Sequence, residues 1–425
     1  MKKKIVKASG ITLIALVVTI VVLLILAGIT ISLVFSDNGI IKKAQEASKR
    51  TNQGLINEQI QINEAADYMG NMLDKVGGGS ANEDPTANWD LSKVEKVTSA
   101  DGVVVPVPKG YTASSIDTEN TVEDGFVIYE GEENVNDTNK DIAQTTRNQF
   151  VWVPVANPSE MYGIDENHKK LSKLYNFSSS GITPLNWTEE NNIMKITVTS
   201  GSESYREPEV VTGEDGNECD ADSTNLQQAG LDLDATSDIF KAQLESEFNN
   251  MIESVEKYGG FYIGRYETGD LSQEEAVVVK NNSDVGNQTW YTMYSKAKKI
   301  ALNSNVRSTM IWGSQWDAVM RWMYNSGNEE KQKYTYDSTG KGNYNGTNGN
   351  QLIATGSNEN YKVNNIYDMA GNVFDWTIEI DNNNYRVNRG GNWSYDGNYL
   401  PAFKRSLYIP TDKIPSGGCR VTLYM

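Results

Sequence analysis

The sequence is short of the residues that most metal and thiol chemistry requires. Among 425 residues there is one histidine, His168, and there are two cysteines, Cys219 and Cys419. A histidine triad around a metal is therefore excluded, and two thiols permit one disulfide at most while falling short of a four-thiolate zinc site. A single imidazole leaves one choice of histidine general base, with no visible partner. Neither a G-x-S-x-G elbow nor a G-x-x-x-x-G-K-[ST] phosphate loop occurs. Basic side chains are also scarce, 38 against 56 acidic ones, for a formal net charge of −18. No excess of cations is available to displace phosphate counterions, so a nucleic-acid partner is excluded. No internal repeat of about 20 to 50 residues is present, which excludes solenoids and propellers. What remains is length enough for two or three folding units with a real core.

Charge is missing altogether from residues 8 to 36, and Ile11 to Phe35 reads ITLIALVVTIVVLLILAGITISLVF. Roughly 20 apolar residues suffice to cross a bilayer as a helix, so 11–35 is expected to span. Lys2, Lys3, Lys4 and Lys7 precede the run and Asp37 is the first charge after it. The positive-inside rule then leaves the N-terminus in the cytoplasm and the bulk of the chain outside. The expectation is a single-pass protein of the cell membrane with an extracellular C-terminal domain. A cleaved secretory signal is the plainer alternative, but the run is longer than such a core and no A-x-A site follows.

The junction, a short basic leader, then Gly10, then Ile11-Thr12-Leu13-Ile14, resembles the class III signal of type IV prepilins. That resemblance implies cleavage between Gly10 and Ile11 by a prepilin peptidase, with methylation of the new N-terminus. Ala15 stands where the family places the glutamate used in filament assembly. A lone carboxylate in lipid is costly, and its absence suits a plain membrane anchor. A minor-pilin-like subunit of a type IV pilus or secretion pseudopilus is the alternative reading.

Composition divides the chain into a basic leader at 1–10, the spanning helix at 11–35 and a helical stalk at 36–76. A linker and small β-rich region follows at 77–145, opened by Gly77-Gly78-Gly79-Ser80. The main domain is assigned to 146–425, with an insertion near 160–245. Within that insertion, 200–235 is rich in Ser, Glu, Asp and Asn without periodicity and reads as a surface loop. Residues 333–350, rich in Tyr, Gly and Asn, also read as loop. Two helices are predicted further on. Thr289 to Leu302 brings Trp290, Met293, Ala297 and Ile300 or Ala301 to one face. Ser314-Gln315-Trp316-Asp317 resembles a capping box, with Trp316, Val319, Met320 and Met323 following at helical spacing. These aromatics are expected to pack in the core.

Several segments then occur in a fixed order: Phe150-Val-Trp-Val-Pro-Val, Phe261-Tyr-Ile-Gly-Arg-Tyr-Glu267, the two helices, Asp368-Met-Ala-Gly-Asn-Val-Phe-Asp-Trp376, Arg389-Gly-Gly-Asn-Trp393 and Gly418-Cys-Arg-Val421. Together, over about 146 to 425, they resemble the formylglycine-generating enzyme (sulfatase-modifying factor) family. The resemblance implies an α+β, C-type-lectin-like fold, preceded here by the transmembrane helix and stalk. Gly371, Gly390 and Gly391 would supply its turns. The family's oxidases hold copper on two cysteines shortly after the R-G-G-x-W turn, where this chain reads NWSYDGNYLPAFKR with no cysteine. Related sulfoxide synthases need several histidines. A formylglycine-generating oxidase is therefore disfavoured, and the chain is read as a non-enzyme without a catalytic cofactor. Family members carry structural calcium near the G-N-V-x-x-W segment, which implies Asn372 and Asp375 as oxygen donors for such an ion. Asp375 and Glu379 are otherwise read as a solvated surface pair on one helical face.

From Arg389 to Met425, Arg-Gly-Gly, Trp393, Arg405 and Arg420-Val form a frame around Tyr, Asn, Ser and Asp residues. This mixture resembles the variable region of proteins diversified by diversity-generating retroelements, in which adenine positions of the coding segment are mutated. The resemblance implies a displayed binding surface, assigned to Trp393, Tyr395, Asp396, Asn398, Tyr399, Lys404, Ser406 and Tyr408. Tyrosine among small polar residues gives large contact area for few frozen torsions. The expected partner is a protein or glycan ligand, bound without reaction.

Overall fold

The computed structural model describes residues 84–185, 187–191, 193–196, 205–212, 219–301 and 303–425. The expected leader, spanning helix and stalk, with Gly10 and Ile11, lie outside the described residues. No helix among the described residues is long and apolar enough to cross a membrane. The described residues belong to one compact unit, Asn82–Met425, of mixed α+β structure in which strands predominate.

The chain enters through a hairpin of β1 (Val94–Thr98) and β2 (Val104–Pro108), followed by β3 (Tyr111–Ala113) and β4 (Val127–Glu130). Helix α1 (Lys140–Thr146) leads into β5 (Gln149–Pro154). Three short hairpins come next: β6 (Tyr162–Ile164) with β7 (Lys170–Ser172), β8 (Tyr175–Ser178) with β9 (Gly181–Pro184), and β10 (Trp187–Glu190) with β11 (Ile193–Ile196). Beyond β12 (Tyr205–Arg206), helices α2 (Ser223–Gln228) and α3 (Ser237–Tyr258) lead to β13 (Gly260–Gly264). Helix α4 (Trp290–Ala297), β14 (Arg307–Met310), α5 (Gly313–Tyr324) and α6 (Glu329–Tyr336) follow. The chain ends in β15 (Lys362–Val363), β16 (Ile366–Tyr367), β17 (Phe374–Asp381), β18 (Arg386–Arg389), β19 (Arg405–Tyr408), β20 (Gly417–Cys419) and β21 (Val421–Tyr424).

A six-stranded antiparallel sheet runs β14-β21-β13-β5-β4-β3. Its centre is legible in the apolar runs of the sequence. Phe150 to Val153 of β5 and all of β13 are buried, as a strand covered on both faces requires. Phe261 lies opposite Val153 and Ile263 opposite Val151, while the Trp152 and Tyr262 rings meet 5.0 Å apart. The expected division at 145/146 falls within this sheet, since β3 and β4 continue it on the far side of β5.

Helix α3 packs on β13 and β21 and begins where the side chain of Thr236 accepts from the Ile239 N–H. It ends at Gly259, whose φ of +78° closes a left-handed C-cap. Its buried face, Phe240, Leu244, Phe248, Met251, Ile252, Val255 and Tyr258, recurs at helical spacing. Each such side chain contributes about 1.5–3 kcal/mol by leaving water. The predicted helix at 289–302 is the shorter α4, capped by Thr289, with Trp290, Met293 and Ala297 buried as expected. In α5 the predicted inward residues Trp316, Val319, Met320 and Met323 are all buried.

Two loop expectations are corrected. Residues 333–336 are the last turn of α6 rather than loop. Within 200–235, the described residues hold α2 and a set of buried side chains: Tyr205, Glu207, Val210, Val211, Asp220 and Leu226. Acidic residues made this stretch look solvated, yet Asp220 pairs with Arg386 of a core strand and Glu207 accepts from the Gly313 and Ser314 N–H groups.

Candidate functional site: a displayed C-terminal surface on a buried ionic frame

The second sheet, β12-β17-β18-β19, with β20 parallel to β17, carries the C-terminal segment. Asp375 and Glu379 are not a surface pair on a helix, as the sequence reading had it. Both lie on strand β17, at 1% and 0% exposure, because the whole strand is covered on both faces. Arg389 of β18 and Arg405 of β19 stand directly opposite one another in the ladder. Arg389 donates to Glu379 Oε1 at 2.6 Å and to Asp317 Oδ1 at 2.5 Å. Arg405 donates to Glu379 Oε2 at 2.7 Å and to Asp317 Oδ2 at 2.8 Å. Two guanidiniums and two carboxylates thus close a ring that ties β17, β18 and β19 to α5. Burial by itself would raise the Asp317 carboxyl, but Arg405 and Arg389 outweigh it and hold that carboxyl below its ordinary value.

Other buried charges extend the frame. Glu207 accepts from the Gly313 and Ser314 N–H groups at 2.8 and 2.7 Å, occupying donors that the start of α5 would leave open. Burial, reinforced by the nearby Glu379 carboxylate, pushes Glu207 up to about 8. Arg386 pairs with Asp220 at 2.7 Å and lies 4.0 Å from the Trp290 ring centroid. Arg420 pairs with Asp375 at 3.1 Å and donates to the Gly264 and Tyr367 carbonyls.

The displayed residues leave this frame through Gly390-Gly391. Gly391 has φ of +71°, and a Cβ there would stand 2.3 Å from the Leu400 carbonyl oxygen, so only glycine fits. The Trp393 N–H donates to the Asn372 carbonyl, and the Asp396 carbonyl accepts from the Tyr399 and Leu400 N–H groups to form the next turn. Tyr395 is 40% exposed and Tyr399 67%, and Asp396, Asn398 and Lys404 are exposed too. Trp393, Ser406 and Tyr408 are half-buried.

Three of the eight assigned residues are brought together around an aromatic base. Tyr395 and Tyr399 lie 6.1 Å apart by ring centroids, and buried Phe374 touches both Tyr395, at 6.3 Å, and Tyr408, at 6.0 Å. Trp376 meets Tyr408 edge-on at 6.2 Å. Lys404 belongs to a different hollow of about 260 Å³, shared with Asn176, Phe177, Leu185, Tyr205 and Phe403. Phe374 and Trp376 were missed as supports of the surface, although both stand in the quoted Asp368–Trp376 segment. Asp317, Glu379 and Glu207 were missed as well, because their partners lie far away in sequence.

Asn372 and Asp375, the donors implied for a calcium ion, are both buried and hydrogen-bonded within the fold. Asn372 Oδ1 already accepts from Asn343 Nδ2 and from the Ile353 N–H, at 3.0 and 3.1 Å, and its Nδ2 donates to Glu267. Asp375 Oδ2 accepts from Arg420 while its buried Oδ1 has no hydrogen-bond partner, and among the described residues no group of three or more His, Cys, Asp or Glu side chains could hold a metal ion. Both cysteines are buried free thiols, and burial pushes Cys419 up to about 12.

No family model matches the sequence, and no curated protein matches it. Among solved structures, the chain is similar to CarF, at 13% identity over 39% of this chain and 87% of that one, with a TM-score of 0.28. PvdO from Pseudomonas aeruginosa is similar at 15% identity over 40% of this chain and 82% of that one, with a TM-score of 0.28. Treponema denticola variable protein 1 is similar at 14% identity over 65% of this chain and 96% of that one, with a TM-score of 0.25. At TM-scores this low none of these likenesses defines the fold or carries function to this chain.

Proposed function

We propose that this chain is a membrane-anchored, outward-facing binding protein of C-type-lectin-like fold that recognises a protein or glycan ligand without chemistry. Its C-terminal loops form the displayed surface. The observation that carries the reading is the contrast within residues 389–408. Arg389 and Arg405 are locked into a buried ring of ion pairs, while Tyr395, Asp396, Asn398, Tyr399 and Lys404 between them are exposed. A surface so built can exchange side chains without disturbing its support. Two exposed tyrosines on an aromatic base supply contact area at little entropic cost.

The fold assignment is supported by the ordered motifs and by their positions in the sheets. Phe150–Val155, Phe261–Glu267 and the final strand supply β5, β13 and β21, which are neighbours, and Asp368–Trp376 opens into β17. Anchoring is supported by the uncharged run at 11–35 behind four lysines, and processing at Gly10–Ile11 by the prepilin-like junction. The non-catalytic reading is supported by the want of a cysteine pair after Trp393 and by thiols held protonated through burial.

The diversified surface is tested in the neighbouring DNA. A near-copy of the 3′ coding segment beside a reverse-transcriptase gene is expected, differing at adenines in the codons of the exposed residues. Absence of such a copy would remove diversification from the reading.

A further inference from the structure

The hollow at Lys404 is walled by two pieces of chain, the β8–β9 hairpin and the residues that lead into β19. Both are pinned to the buried ring of ion pairs. The Tyr175 N–H donates to Asp317 Oδ2 at 2.8 Å, and the Tyr175 carbonyl accepts from Arg405 at 3.0 Å. The Phe403 N–H donates to the Thr335 carbonyl at 3.2 Å, and the Phe403 carbonyl accepts from Arg389 at 3.1 Å. Walls held in this way need little ordering when a ligand arrives, which lowers the cost of binding.

The lining divides into an apolar wall and a polar rim. Phe177 and Phe403, 6.0 Å apart by ring centroids, belong to the main core. Tyr205 and Leu185 belong to a small separate cluster with Leu174 and Val387. Phe403 and Leu185 are only half-buried, so apolar surface stays open where the two clusters do not meet. Arg405 brings no free charge, because Glu379, Asp317 and the Tyr175 carbonyl take its donors. At the rim, Lys404 and Asn176 are exposed, and among the described residues neither side chain has an ion pair or a hydrogen bond. The charge offered to a ligand is therefore one unpaired ammonium beside an apolar wall, in a chain of net charge −18. The volume of about 260 Å³ falls below the range of about 300–1,000 Å³ that takes drug-sized molecules, and suits a single side chain.

We propose that this hollow receives one phenylalanine-sized side chain of a protein ligand, with a neighbouring carboxylate of that ligand on Lys404. The proposal rests on the binding reading above and selects a protein over a glycan. A sugar ring would bring hydroxyls against Phe177, Phe403 and Leu185, which offer them no partner. Residue 404 then sets the charge that the ligand must carry, while the frame fixes the shape of the wall. Exchange at this one position would change the preferred ligand without rebuilding the hollow.

The test is a ligand-observed NMR titration of the full-length protein in phosphatidylcholine nanodiscs, with empty nanodiscs as the blank. The probes are N-acetylphenylalanine, its uncharged amide and glucuronate. N-acetylphenylalanine is expected to bind about threefold to fivefold more tightly than the amide, the worth of one ion pair at a surface. It should bind at least about tenfold more tightly than glucuronate, which lacks the apolar group. In Lys404→Glu the order of acid and amide should reverse, with the amide's own affinity little changed. Leu185→Ser should weaken both by at least about threefold. Failure of N-acetylphenylalanine to bind the folded wild type above the blank overturns the proposal. So does equal affinity for acid and amide, equal binding of glucuronate, or an unchanged preference in Lys404→Glu. None of these results bears on the search for a near-copy of the coding segment, so the hollow and the diversified surface fail separately.

Discussion

Among single residues, Asp317 and Glu207 show how buried charge is managed in opposite ways. Asp317 stays ionised because Arg389 and Arg405 both reach it. Replacing it with Asn leaves two guanidiniums short of a carboxylate, and loss of one partner of a buried pair costs about 3–5 kcal/mol. Chemical denaturation of Asp317→Asn should show that loss. Glu207 has no cationic partner among its hydrogen bonds and is raised to about 8, above its ordinary 4.5. The folded state therefore holds a proton there that the unfolded state has released, between about pH 5 and 8. Its contribution is full below the unfolded value and is lost as pH rises toward 8. Glu207→Gln should flatten the fall in melting temperature between pH 5 and 8 relative to the wild type. An equal slope in both proteins would show that Glu207 does not titrate in that range. Tyr399, by contrast, is 67% exposed and away from the frame. Tyr399→Ala should change stability by no more than about 0.5 kcal/mol, measured in the same denaturation experiment.

At the scale of elements, the strands and helices with a single apolar signal were legible in the sequence. β5 and β13 are continuous apolar runs, and α5 buries the face that its spacing marks. Helix α3 was equally readable from Phe240, Leu244, Phe248, Met251 and Val255, but the polar stretch before it drew it into the insertion. β17 was not legible as a buried strand. Phe374, Asp375, Trp376 and Glu379 look amphipathic when solvent is assumed to take the carboxylates. Here Arg389 and Arg405 of neighbouring strands, and Arg420 between β20 and β21, take them instead. Pairing at such sequence distance leaves no local pattern. The same reason hid Asp220, which lies in acidic surroundings and meets Arg386 of β18. The C-cap of α3 gives a check at this scale. Gly259 has φ of +78°, and a Cβ there would touch nothing within 4 Å, so Gly259→Ala isolates the conformational cost. That substitution should destabilise by about 1–2 kcal/mol, the usual penalty for a left-handed L-residue, and thermal unfolding can read it.

Over the whole molecule, two kinds of polarity are kept apart. Inside, Asp317, Glu379, Asp375 and Asp220 are paired with arginines distant in sequence. The surface between Trp393 and Lys404 carries tyrosines and short polar side chains on turns that the frame holds in place. The proposed function needs this separation, since residues that are varied must not also hold the fold. The claim is tested most directly by denaturant unfolding of two full-length variants beside the wild type. One replaces Asp396, Asn398, Tyr399 and Lys404 together with serine, and the other is Asp317→Asn. The fourfold surface variant should lose no more than about 1–2 kcal/mol in total, while the single buried change loses about 3–5 kcal/mol. If the surface variant unfolds as readily as Asp317→Asn, or Asp317→Asn is as stable as the wild type, the division into frame and displayed surface is wrong.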